Sequence, residues 1–232
     1  MGLTRRCIDK LVTEHDFDLK RTLMATSVCS DEVIRSATNF RTYLGIENPF
    51  QLGGLAGFPF AGLTGLKAFL GHVPDRGSAL ILYGPHIGVS KHGEIGIMQR
   101  DGQMMESSCC GALQASLSTL LKRGVSADRD LDFQLWNIES ELAPHQEEIL
   151  AHHTPLVAVT DIMFDVIRQR IQRLIEASGD LIKGKKIAMI GGVIVNTDYN
   201  LPDWFDLRHF QVIDRQTSLA DSREGDNQSE KN

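Results

Sequence analysis

Apolar positions along this chain switch between a helical spacing and short continuous runs. The segment "TRRCIDKLVTEHDF" (4–17) has helical spacing, and "KRTLMATSVC" (20–29) reads as a buried strand ending at Cys29. "SDEVIRSATNFRTYLG" (30–45) predicts a helix that Ser30 or Asp31 caps and Gly45 ends. "NPFQLGGLAGFPFAGLTG" (48–65) is rich in glycine and aromatic residues, so it predicts a loop that passes close to something. A short helix (63–73) follows and is stopped by Pro74. "SALILYGPH" (78–86) is a strong buried strand ending at His86, and residues 87–103 suggest a hairpin with Lys91-His92-Gly93 at its tip. "CGALQASLSTLLKRG" (110–124) predicts an amphipathic helix closed by Gly124. Two long helices are expected over 128–152 and 155–178, then two late strands over 185–198 and 207–215.

Strands that alternate with helices imply an α/β domain, with a central, mainly parallel sheet flanked by helices. That domain is expected over residues 1–216, with a disordered polar tail over 217–232. In such sheets ligands bind at the carboxyl ends of the strands, where Cys29 and His86 are both expected.

Composition narrows the class. Hydrophobic residues make up 42% and charged residues 23%, ordinary for a soluble globular protein with a sizeable core. The net charge is −6 and no basic run occurs, which argues against a nucleic-acid partner. No apolar stretch approaches the ~20 residues that cross a bilayer. The first residues lack the apolar block of a signal peptide. The four cysteines do not form a disulfide framework, which fits a reducing compartment. The expected location is cytoplasmic, or a plastid if a transit peptide once preceded the chain.

Candidate chemistry rests on Cys29, His86 and the adjacent pair Cys109-Cys110. Zinc favours thiolate and imidazole ligands, so Cys29, His86 and one of the pair would supply a Cys₂His set. Cys110 is expected at a helix start, where the dipole favours thiolate. The same residue types also serve as small buried side chains and as a hydrogen-bonded strand-end histidine, and spacing alone does not choose between the readings. In "CSDEVIR", Asp31 and Arg35 fall on one face of a helix that begins near Asp31. A guanidinium there would orient the carboxylate and keep it ionised.

The ordered blocks "CSDE", "GGLAGFPFAGLTG", "ILYGPHIGVS" and "SSCCGA" closely resemble the limiting-CO2-inducible B/C proteins, relatives of the beta-class carbonic anhydrases sometimes called theta class. The resemblance covers roughly residues 20–200. It implies a beta-carbonic-anhydrase-like fold, a zinc ion, a homodimer, and reversible hydration of carbon dioxide to bicarbonate and a proton. It implies Cys29, His86 and Cys110 as zinc ligands. Cys110 is preferred to Cys109 because beta-class enzymes place the ligand directly before glycine, as in Cys110-Gly111-Ala112. It also implies a gatekeeping role for Asp31, with Arg35 as its partner. The usual beta-class pattern, Cys-x-Asp-x-Arg, would put arginine at Val33; here it stands two positions later.

Carbon dioxide is small and apolar, so Phe58 and Phe60 of "GFPF" are candidates for its pocket, with core packing as the alternative. Tyr83 is similarly placed. His72, His92 and His209 could shuttle protons. His145, His152 and His153 read as a solvated surface. No phosphate-loop motif occurs. Two other functions compete: a non-catalytic zinc homologue that binds carbon dioxide or bicarbonate or serves as a regulatory scaffold, and a thiol oxidoreductase using Cys29 or Cys110.

Overall fold

The structure, a computed structural model, describes residues 3–31, 33, 40, 42–46, 48–122 and 124–215. Half of the helix expected over 30–45 lies outside these residues, as do Arg35 and the tail.

Helix α1 spans Leu3–His15 and leads into strand β1, Thr22–Ser27. A two-residue strand β2, Phe50–Gln51, and helix α2, Gly62–His72, follow. Then come β3, Ser78–Tyr83, and β4, His86–Val89. Short strands β5, Ile97–Met98, and β6, Ser107–Ser108, pair with each other away from the main sheet. The second half holds α3, Gly111–Leu121; α4, Phe133–Leu142; α5, Gln146–Ala151; and α6, Pro155–Glu176. It ends with the long strands β7, Lys186–Thr197, and β8, Trp204–Asp214.

The main sheet is parallel except for β8, which runs antiparallel along β7. β1 lies between β2 and β3, and β3 pairs with β7. β4 continues β3 along the same side of β7 at an unchanged offset: Tyr83 faces Gly191 and His86 faces Ile194. The strand expected over 78–86 is thus one strand interrupted at Gly84-Pro85, and it runs beyond His86 to Val89. Proline has no N–H to give the ladder, but the Pro85 carbonyl accepts from the Ile194 N–H at 3.0 Å, which carries the pairing across the break.

Alternation along the strands divides the core in two, as a sheet covered on both faces requires. Ala25, Ile81 and Met189 face helices α2, α3, α4 and α6. Met24, Leu80, Leu82 and Ile190 face α1 through Cys7, Ile8 and Leu11. The helix expected over 128–152 is instead broken between α4 and α5 by a 3₁₀ turn at Ala143–His145. Pro144 cannot donate within a continuous α-helix, which gives the physical reason. The expected hairpin tip exists as a turn closed from the Gly93 N–H to the Ser90 carbonyl. Its arms pair next to the tip, through the antiparallel Val89–Ile95 bridge and the bonds from the Ser90 N–H to the Glu94 carbonyl and from the Gly96 N–H to the Gly88 carbonyl; beyond it β4 joins the main sheet and β5 pairs with β6.

Candidate metal centre

The site is assembled from three places in the fold. Cys29 lies two residues past the carboxyl end of β1, and His86 opens β4 after the Gly84-Pro85 break. Cys110 is the residue that caps the amino end of α3.

Close backbone contacts bring these segments together. A Cβ on Gly53 would lie 2.4 Å from the Val28 carbonyl, so the glycine-rich loop presses on the chain beside Cys29. The Gly57 backbone sits against the Gly84 carbonyl, and Gly84 sits against the Gly192 carbonyl. The cysteine pair is held next to β4 by a ring of three backbone bonds, each 2.8 Å: Gly88 N–H to Cys109 O, Cys109 N–H to Gly96 O, and Gly96 N–H to Gly88 O. The expectation that the loop over 48–65 approaches another segment closely is realised here.

One donor atom each from Cys29, His86 and Cys110 lies within 4.8 Å of the others, and all three residues are buried. The two sulfurs are 4.0 Å apart. Two thiolates each ~2.3 Å from a tetrahedral ion would stand about 3.8 Å apart, so the spacing suits a zinc-like ion.

The orientation of the imidazole follows from its neighbours. Asn196 donates its amide hydrogens to the Val33 carbonyl at 2.8 Å and to the Asp203 carboxylate at 3.2 Å. Its Oδ1 must then face His86 Nδ1, 2.9 Å away, so in the neutral ring Nδ1 carries the proton. Nε2 is buried and meets no hydrogen-bond partner. A buried lone pair of this kind is costly unless a cation receives it. Asn196 is therefore the residue behind this candidate ligand that fixes its tautomer. Sequence reasoning missed it; its only signal was a polar residue at the end of an apolar strand. Asn196→Ala should lower zinc affinity by about 10–100-fold with the fold retained, as read by competition with a zinc-binding dye.

Hydrogen bonding and burial set the protonation of the thiols. The bond from the Cys110 thiol, helped by His86, lowers Cys29 to about 4 against the opposing effect of burial. Donating to Cys29, together with burial, pushes Cys110 well above its ordinary value. Burial alone would pull His86 down, but the sulfurs of Cys109, Cys110 and Cys29 push it well up.

Cys109 stands behind the ring, its sulfur 3.4 Å from Nδ1, where it packs with Val33 and Met98. With Asp31 and His86 it makes a second close grouping of donors. Asp31 Oδ2 is 3.9 Å from Nε2 and accepts from Arg100 Nη2 at 2.9 Å. Arg35, expected as the partner of Asp31, lies outside the described residues. Arg100, which no spacing argument suggested, reaches Asp31 from the loop after β5.

The other candidates have partners of their own. Phe58 is buried against Phe60, ring centres 4.8 Å apart, with the Arg170 guanidinium 5.1 Å over its face. Phe60 also meets Phe133. The Tyr83 hydroxyl is 2.7 Å from His209 Nδ1. His152 bonds the backbone of Thr154 and its ring lies tilted against that of His153, and these residues and His145 belong to neither donor grouping among the described residues.

A mainly parallel α/β sheet with a Cys–His–Cys donor set gathered past the end of β1, at the start of β4 and at the head of α3 defines a candidate metal protein of the carbonic-anhydrase-like class. The chain belongs to the family Limiting CO2-inducible proteins B/C beta carbonic anhydrases, whose sequence profile matches residues 3–214. Among solved structures it is similar to PtLCIB4, a homolog of the limiting CO2-inducible protein LCIB. The two share 33% identity at a TM-score of 0.84, over 92% of this chain and 90% of that one. LCIB itself shares the fold at a TM-score of 0.69 and 21% identity, over 92% of this chain and 93% of that one. Curated protein sequences gave no match. Among the described residues, no helix is long and apolar enough to cross a membrane.

Proposed function

We propose that this protein catalyses the reversible hydration of carbon dioxide to bicarbonate with zinc held by Cys29, His86 and Cys110. The observation that carries the reading is the convergence of those three donors around a buried, unpartnered imidazole nitrogen. Membership of the family supports it. When bound, zinc would supply Lewis acidity that activates water for attack on carbon dioxide.

The chain's own residues do the rest. Cys29 and Cys110 would neutralise the ion's charge, and Asn196 orients His86. Asp31 Oδ2 lies 3.9 Å from Nε2, where it can accept a hydrogen bond from a proton-bearing group in the site. Phe58 shares the buried core with Cys29 and Cys110, and Phe60 packs against it, which supports the two rings as an apolar wall for an apolar substrate. The proposed assembly is a homodimer, which light scattering on the purified protein tests.

The test of the function measures zinc content and stopped-flow carbon dioxide hydration from pH 7 to 9. About one zinc per chain with turnover supports it. A zinc-loaded, folded protein without turnover overturns it; if that protein still binds bicarbonate, the non-catalytic role in inorganic-carbon handling takes its place.

The proton balance of the site gives a second expectation. Cys29 is ionised above about 4, whereas the upward shifts of His86 and Cys110 favour keeping their protons. A metal ion must displace them, so apparent zinc affinity should rise with pH, by about tenfold per unit for each proton released. Competition titrations at pH 6 to 8 check the sign; affinity independent of pH would contradict it.

A further inference from the structure

We infer that Cys29 and Cys110 are an oxidation site: without a metal ion to hold them apart they close into a reversible disulfide, and a small peroxide thereby disables metal binding. This inference concerns regulation of the proposed metal site and rests on that reading.

The two sulfurs stand 4.0 Å apart and already face each other, against the ~2.05 Å of a disulfide. Side-chain rotation has room to close that gap. Cys29 lies in the loop past the end of β1, and Cys110, at the head of α3, makes no side-chain bond to the helix backbone it caps. The other two cysteines are engaged elsewhere. The Cys109 sulfur lies 3.4 Å from His86 Nδ1 and 3.8 Å from Asn196 Oδ1, to which it donates. Cys7 packs on the opposite face of the sheet with Ile8 and Leu11.

Burial selects the oxidant. Cys29 is 7% exposed and Cys110 2%, so a molecule the size of hydrogen peroxide is favoured over a bulky disulfide. The proposed reaction already requires the site to admit water and carbon dioxide, which are of similar size. In the first step the more exposed sulfur, that of Cys29, attacks one peroxide oxygen; the O–O bond breaks, and a sulfenic acid and one water form. In the second, the Cys110 sulfur attacks the sulfenic sulfur; the S–S bond forms, the S–O bond breaks, and a second water leaves. Two thiols give up two electrons and two hydrogens, and one peroxide becomes two waters. A dithiol reverses the change by exchange. A bound ion would engage both sulfur lone pairs and block the first step. The disulfide, in turn, removes two of the three converging donors and leaves His86 alone. Each state therefore excludes the other, and the loop after β1 and the head of α3 are the two parts that the switch joins.

The test strips the full chain of metal with a chelator under reducing conditions, removes the reductant, and adds hydrogen peroxide in slight excess. Free thiols should fall from four to two per chain, and zinc uptake should be lost. A digest should contain a peptide in which Cys29 is joined to the Cys109-Cys110 segment. Dithiothreitol should restore both the thiols and zinc uptake. Cys109→Ala should still form the link, and Cys110→Ser should not. Four thiols after treatment, a bridge confined to Cys109-Cys110, or a link to Cys29 that persists in Cys110→Ser overturns the inference; the first two are read on the native chain and need no variant to fold. The zinc-loaded chain should keep its thiols under the same peroxide. Zinc uptake without the link overturns this inference alone and leaves the metal-site reading standing. A chain that forms the link but takes up no zinc when reduced overturns the metal-site reading.

Discussion

His86→Ala is expected to lose zinc and carbon dioxide hydration together. Removal of a neighbour that only supports a ligand costs about 10–100-fold in metal affinity, so removal of the ligand should cost more. The imidazole is fully buried and supplies one of the three converging donors. Truncation also strands Asn196 Oδ1 and leaves a cavity, at a stability cost of about 2–4 kcal/mol. Cys110→Ala should match it in metal loss, because its sulfur is 4.0 Å from that of Cys29. Cys109→Ala should fall only within the 10–100-fold range of a supporting neighbour, because its sulfur lies on the Nδ1 side of the ring. Elemental analysis of the folded, gel-filtered proteins decides. If Cys109→Ala loses more zinc than Cys110→Ala, the ligand assignment is reversed.

Gly84→Ala should be the most damaging single methyl group in the sheet. Gly84 has φ +148, and an added Cβ would come 1.7 Å from the carbonyl oxygen of Gly192. That oxygen belongs to β7, which is paired on both sides, so neither partner can move without breaking ladders. Overpacking of this kind costs about 1–3 kcal/mol, and the backbone conformation adds about 1–3 kcal/mol. For a chain of this size the melting temperature should fall by on the order of 10 °C, measured by circular dichroism. Gly71→Ala is the contrast. It sits in α2 with open space where the added methyl group would project, so it should stabilise by roughly 0.5–1 kcal/mol. Equal melting temperatures for the native chain and Gly84→Ala would show that the β3–β7 contact yields more readily than the packing implies.

Much of the fold was legible in the chain. Continuous apolar runs marked β1, β3 and β7, and helical spacing marked α1, α3 and α6, because a buried strand and an amphipathic helix each leave a local imprint on composition. The break at Pro144 was written in the sequence too, but the apolar spacing on either side of it suggested continuity. The continuation of β3 into β4 was not legible: Gly84-Pro85 looks like the end of a strand, and only pairing with β7 at an unchanged offset shows the ladder resuming.

The sequence by itself determined the α/β class, the family, and which residues could serve as soft metal donors, because these depend on residue chemistry and local pattern. Tertiary structure alone decided which donors meet, which nitrogen of His86 faces them, that Asn196 lies behind the ring, and that Arg100 reaches Asp31. Those contacts join segments far apart along the chain. Their existence depends on register and on glycine backbones approaching one another, and neither leaves a periodic signal in the residues themselves.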